Sequence, residues 1–149
     1  MNIRILCVGK LKETYWSDAV AEYKKRLSAY CSLTVEEVKE NPREDLSEEG
    51  EALLRRIRPE DYVILLDVAG RALDSEGLAA MMGRLGLEGR SQLVFVIGGS
   101  AGLSPEVKAR GDFALSFSTM TFPHQMMRVI LLEQIYRGFK ILRGEKYHK

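Results

Sequence analysis

The chain has 149 residues, a formal net charge of +1, 46% hydrophobic residues and 29% charged residues. That is the size of one domain with one sizeable core, and the near-neutral balance by itself points to no partner. No apolar run approaches the length of a membrane span, and the start, Met1-Asn2-Ile3-Arg4-Ile5, does not read as a signal peptide.

Taken in order, Ile3 to Val8 reads as a short apolar strand ending at Gly9. A helix is predicted over Thr14 to Tyr30, with Trp16, Val20, Tyr23 and Leu27 on one face. Leu33 to Val38 alternates like a strand, and Asn41-Pro42 marks a turn. Ser47 to Arg58 reads as a charged helix that Pro59 stops. Asp61 to Val68 contains the buried-strand pattern Tyr62-Val63-Ile64-Leu65-Leu66, followed by a turn at Ala69-Gly70-Arg71. Ser75 is the expected cap of a helix running to Leu85 or Leu87. Ser91 to Ile97 is the next strand, Ser104 to Arg110 a short helix and Phe113 to Phe117 a last strand. Pro123 opens a long helix to about Arg143, and a short tail ends Glu145-Lys146-Tyr147-His148-Lys149. Strands that alternate with helices predict a single α/β domain over 1–149 with a mostly parallel sheet. Cys7 and Cys31 form no CxxC pair and read as free thiols of a reducing cytoplasm. The two histidines, His124 and His148, have no carboxylate pair at ligand spacing beside them, so no metal site is expected.

Chemistry concentrates at the C-terminal end. The run Leu93 to Ile97 ends abruptly in Gly98-Gly99-Ser100-Ala101-Gly102, and Ser104 and Pro105 then start a helix. Strand, glycine turn and helix suit a ligand loop, because glycines let a ligand approach main-chain N–H groups, the alternative being a turn that only ends the strand. It is not the dinucleotide GxGxxG, and its position late in the chain argues against an NAD fold. The hydroxyl-rich segment Phe117-Ser118-Thr119-Met120-Thr121-Phe122 follows. It can read an adenine edge through its main chain, or serve only as a strand-to-helix connection with Thr121 near the cap.

Charge is unevenly spread. Glu36 to Asp61 holds ten acidic and five basic residues. Arg137, Lys140, Arg143, Lys146 and Lys149 recur at every third position against one acid, Glu145. On charge alone this stripe is a solvated face that complements the helix dipole, the alternative being a phosphate contact. The final helix is apolar on more than one stripe, which predicts a homodimer, the alternative being a helix packed wholly inside the domain. By residue type alone the Tyr147-His148 tail is a frayed end.

In order, Ile5-Leu6-Cys7-Val8-Gly9-Lys10-Leu11-Lys12, Leu65-Leu66-Asp67-Val68-Ala69-Gly70, Ile97 to Gly102, Leu115 to His124, Arg128 to Arg137 and Tyr147-His148-Lys149 resemble one known family over essentially the whole chain. It is the ribosomal large subunit RNA methyltransferase H family, of the SPOUT (alpha/beta-knot) class. The resemblance implies a trefoil-knotted sheet, an exception to the rule that chains do not knot. It implies S-adenosylmethionine in a pocket lined by Leu66, Gly98, Gly102, Phe117, Ser118, Thr119, Met120, Thr121 and Phe122. It implies a homodimer whose partner completes each site, and methylation at N3 of a pseudouridine in 23S rRNA of the assembled 70S ribosome. On that basis His148 is expected to contact the base and assist deprotonation, with Tyr147 stacking on it or bonding to it. Arg128 joins them as a catalytic cation. Arg137, Lys140 and Arg143 are expected to hold RNA phosphates, and His124 to shape the cofactor loop. Two rivals are a sensor that binds the cofactor without chemistry and a methyltransferase acting on tRNA or a small molecule.

Overall fold

A computed structural model describes all residues, 1–149. The elements in chain order are β1 (Asn2–Val8), α1 (Thr14–Leu27), β2 (Ser32–Val38), α2 (Leu46–Leu54), β3 (Tyr62–Ala72), α3 (Ser75–Leu87), β4 (Gln92–Ile97), α4 (Pro105–Arg110), β5 (Phe113–Ser116) and α5 (His124–Leu142). The five strands form one sheet in the order β2-β1-β4-β3-β5, and every pairing is parallel. Such a sheet must be covered on both faces, and strand alternation divides the core accordingly. Ile3, Ile5, Cys7, Leu93, Phe95 and Ile97 face one side, under α1, α3 and α5. Leu6, Val8, Val94 and Val96 face the other, under Leu53 of α2 and Val107 of α4.

Several boundaries differ from expectation for local reasons. Helix α1 stops at Leu27 rather than Tyr30, because Ser28 to Cys31 turn toward β2 through bonds from Tyr30 N and Cys31 N to Leu27 O. Helix α2 starts one residue early, at Leu46, because the Asp45 carboxylate accepts from Ser47 N at 2.9 Å. It ends at Leu54, and Arg56 and Ile57 continue only as tight turns. In α3 the cap is Asp74, whose Oδ1 accepts from Gly77 N at 2.7 Å. Ser75 is already helical, and its hydroxyl donates to Gln134 of α5 at 2.6 Å. The turn expected at Ala69-Gly70-Arg71 is an excursion inside β3 instead. Leu66 and Arg71 both pair with Leu115, so residues 67–70 bulge out and the strand resumes. Strand β5 ends at Ser116, one residue before Phe117.

Helix α5 lies between α1 and α3 over the sheet, with Leu131, Leu132, Ile135 and Phe139 buried. Its broad apolar surface therefore serves three neighbours within the chain. Leu142, near its C-terminal end, remains exposed.

Cys7 is fully buried, and burial pushes its thiol up to about 12; burial likewise raises Cys31 to about 11. Neither sulfur is then a thiolate at neutral pH, so both are expected to resist alkylation in the folded protein and to react after denaturation. Mass spectrometry after native and denaturing treatment checks this.

Candidate active site

A cavity of about 510 Å³ opens where β4 and β5 end and β3 bulges out after Leu66. That volume suits a small molecule. The carboxyl ends of parallel strands are the usual location for such a site, because the connecting loops gather there. The glycine turn forms one wall. Gly102 N donates to Gly99 O at 3.0 Å, and Gly102 has φ +87°, a conformation that favours glycine. A Cβ on Gly98 would stand 2.5 Å from Gly102 O, so the turn folds onto itself only because Gly98 has no side chain. Beyond it, the Ser104 hydroxyl accepts from Val107 N at 3.2 Å and starts α4.

The segment after β5 forms the opposite wall. Its fold is local: Ser116 Oγ donates to Ser118 O at 3.1 Å, and the Ser118 hydroxyl accepts from Met120 N at 3.0 Å. The N–H groups of Thr119, Thr121 and Phe122 have no partner within the chain. They remain free for a ligand or for water. Helix α5 then begins behind Pro123 with no side-chain cap, so Thr121 does not cap it.

Of the residues expected to hold the cofactor, Leu66, Gly98, Gly102, Phe117, Ser118, Met120, Thr121 and Phe122 line the cavity. Thr119 does not: its side chain is exposed outside the lining. Asp67, Val68, Lys108, His124 and Met127 also line it. Asp67 and Lys108 face each other at 3.9 Å. Asp67 had a readable signal, a carboxylate directly after the apolar run of β3. Lys108 had none, because an exposed helical lysine is ordinary.

Arg128 belongs to neither the cavity nor the surface. It is 1% exposed, its Nη1 donates to Glu37 at 2.6 Å and its Nη2 to Gly9 O at 3.2 Å. The same Glu37 carboxylate accepts from Leu11 N, and Gln125 accepts from Lys12 N at 3.1 Å. Arg128 therefore locks the start of α5 to the loop after β1. A guanidinium so enclosed cannot reach a phosphate or a reacting base, which corrects its expected catalytic role.

The tail is ordered against α5. The Tyr147 hydroxyl donates to Glu133 at 2.7 Å, and Glu133 also accepts from Arg137 Nε at 2.8 Å. The Arg137 guanidinium lies 4.6 Å from the Tyr147 ring centre, and its Nη1 stands 3.2 Å from His148 Nδ1. Burial, reinforced by Glu133, pushes the Tyr147 phenol up to about 12. The frayed end read from residue types is thus a built cluster, and Glu133 is the member that sequence reasoning missed. None of these side chains lines the cavity of its own chain. Lys140 donates to Glu145 at 2.9 Å, and the Tyr30 hydroxyl and Glu145 carboxylate beside it hold its ammonium above the usual lysine range. Arg143 lies 4.5 Å from the Tyr30 ring centre and is exposed.

A parallel sheet with a glycine-turn cavity at its carboxyl ends, facing a hydroxyl-rich loop, defines an α/β fold with a small-molecule-sized site. The family model described as predicted SPOUT methyltransferase matches residues 1–148. The chain belongs to the SPOUT methyltransferase family. Among solved structures it is similar to a probable methylase family protein from Haemophilus influenzae Rd KW20, at 14% identity and a TM-score of 0.58, covering 99% of this chain and 70% of that one. It also matches the SpoU methyltransferase AviRb from Streptomyces viridochromogenes in complex with AdoMet, at 9% identity and a TM-score of 0.48, covering 97% of this chain and 61% of that one. A TrmH/SpoU tRNA modifying enzyme from A. aeolicus matches at 11% identity and a TM-score of 0.48, over 95% of this chain and 77% of that one. No helix is long and apolar enough to cross a membrane.

Proposed function

We propose that this chain transfers a methyl group from S-adenosylmethionine to N3 of a pseudouridine in 23S rRNA of the assembled 70S ribosome. The observation that carries the cofactor reading is the cavity between Gly98–Gly102 and residues 117–122, where the main-chain N–H groups of Thr121 and Phe122 have no hydrogen-bond partner within the chain. Such groups suit the hydrogen-bonding edge of an adenine, and the Asp67 carboxylate in the lining suits ribose hydroxyls. When bound, the cofactor supplies an electrophilic methyl on a sulfonium, a good leaving group. The chain's own task is to align the nucleophile and stabilise charge on it.

His148, Tyr147 and Arg137 stand together but outside their own chain's cavity. A homodimer in which the partner's tail meets this cavity unites the two halves, and that is the assembly we propose. Lys140 and Arg143, cationic and beside Tyr30, suit RNA phosphate contacts. We also infer the trefoil knot that the resemblance implies.

The test is transfer of labelled methyl to assembled unmodified ribosomes, compared with free subunits, stripped rRNA and tRNA, followed by mass mapping. Label on one large-subunit pseudouridine, in assembled ribosomes alone, is the expected result. His148→Ala is expected to lower transfer about a hundredfold or more with cofactor affinity nearly intact, because His148 is assigned to the nucleobase and the cofactor is held by the cavity's own lining. Cofactor binding without transfer to any of the four would mark the chain as a sensor.

A further inference from the structure

The contact between Arg137 and His148 decides more than position. Arg137 Nη1 lies 3.2 Å from His148 Nδ1. A guanidinium carries donors and no acceptor, so this contact is a hydrogen bond only if Nδ1 accepts. In a neutral imidazole one nitrogen holds the proton, and it must then be Nε2. The neighbour on that side agrees: the Glu76 carboxylate, a pure acceptor, lies 3.7 Å from His148 Nε2. Arg137 is itself held, by Glu133 at 2.8 Å and across the Tyr147 ring, so its donor stays aimed. The charged groups that face the ring are therefore Arg137 on the Nδ1 side and Glu76 on the Nε2 side, with Glu133 one step behind.

We propose that Arg137 fixes His148 as the Nε2–H tautomer, so that His148 meets the nucleobase as a hydrogen-bond donor to a ring carbonyl beside the methylated nitrogen, not as the acceptor of its proton. This rests on the functional reading above and reassigns the proton step within it. Nδ1 is engaged and Nε2 is already protonated, so the ring has no free lone pair for the N3 proton. That proton passes to water, and the donated hydrogen bond stabilises the charge left on the flanking carbonyl. The donor also selects its substrate. Uracil and pseudouridine flank N3 with carbonyls on both sides. Cytosine presents an amino group on one side, which would meet the Nε2–H donor to donor.

The test uses the full-length protein. It contains only His124 and His148, so long-range proton–nitrogen spectra of protein with labelled histidine, compared with those of His148→Gln, assign the ring at once. The expected spectrum shows a bare Nδ1 and a protonated Nε2 in the native chain, and tautomer mixing in Arg137→Met, which removes the donor but keeps the stem. In the transfer assay, the glutamine amide places an N–H donor near the Nε2 position. His148→Gln should therefore keep turnover within about tenfold of the native enzyme, whereas His148→Ala loses about a hundredfold or more. A protonated Nδ1 in the native chain overturns the proposal, as does a His148→Gln variant as inactive as His148→Ala. If no RNA accepts methyl, the functional reading and the donor role fall together, and the spectrum alone still decides whether Arg137 sets the tautomer.

Discussion

Gly98→Ala is expected to weaken binding of S-adenosylmethionine about ten- to a hundredfold while the chain still folds. The added Cβ would stand 2.5 Å from Gly102 O, 2.9 Å from its carbonyl carbon and 3.0 Å from Leu103 Cδ2. The first two are backbone atoms and cannot rotate away, so the turn must open. Overpacking of this kind costs about 1–3 kcal/mol, and each 1.4 kcal/mol is about tenfold in affinity. The opening moves Gly99 and Gly102, which are bridged to each other and line the cavity. The sheet beneath is untouched, since Val94, Phe95 and Val96 remain fully buried. Gly102→Ala is the informative contrast. Nothing lies within 4 Å of its added Cβ, and only the positive φ of +87° is strained, at about 1 kcal/mol. Titration calorimetry with the cofactor, beside thermal unfolding, separates the two. Native affinity in Gly98→Ala would mean that the cofactor does not rest against this turn.

Glu37→Ala is expected to destabilise the fold more than Arg128→Met, although the two residues form one ion pair. Arg128 is 1% exposed, whereas the Glu37 side chain is 36% exposed. Removing the carboxylate leaves a buried guanidinium with only Gly9 O as partner, a change of the class that costs about 3–5 kcal/mol. It also strips Leu11 N of its acceptor. Removing the guanidinium lets the glutamate rehydrate. Methionine fills much of the space, and the chief loss is the Gly9 carbonyl's partner, about 1–3 kcal/mol. Denaturant unfolding of the two variants gives the order, and the reverse order would show that Arg128's packing outweighs its charge. The double variant should lie near Arg128→Met, because no buried charge then remains unpaired.

Most elements were legible, because β1 and β4 are apolar runs, β2 alternates and the long helices carry apolar stripes. The mostly buried strands β1 and β4 have the near-continuous apolar content that a parallel sheet demands. The cavity was legible as two segments, Gly98–Gly102 and Phe117–Phe122, since glycine and hydroxyl clusters carry their chemistry locally. What pattern reading missed depended on distant partners. The bulge at 67–70 exists because β5 pairs with β3 on both sides of it, and no periodicity within β3 announces that. Arg128 was expected to serve as a catalytic cation. Its burial is set by Glu37 and Gly9, more than ninety residues away in the chain.

The tail marks the boundary between the two kinds of information. Composition and periodicity determine an α/β fold with a parallel sheet, and the family motifs determine a methyltransferase of the SPOUT class. These follow from sequence because secondary structure and short loops are governed by near neighbours. The assembly of Glu133, Arg137, Tyr147 and His148, and their separation from their own cavity, follow only from the tertiary fold. Ion pairs and hydrogen bonds act over a few ångströms in space, and only the packed chain brings residues 133 and 147 within that distance.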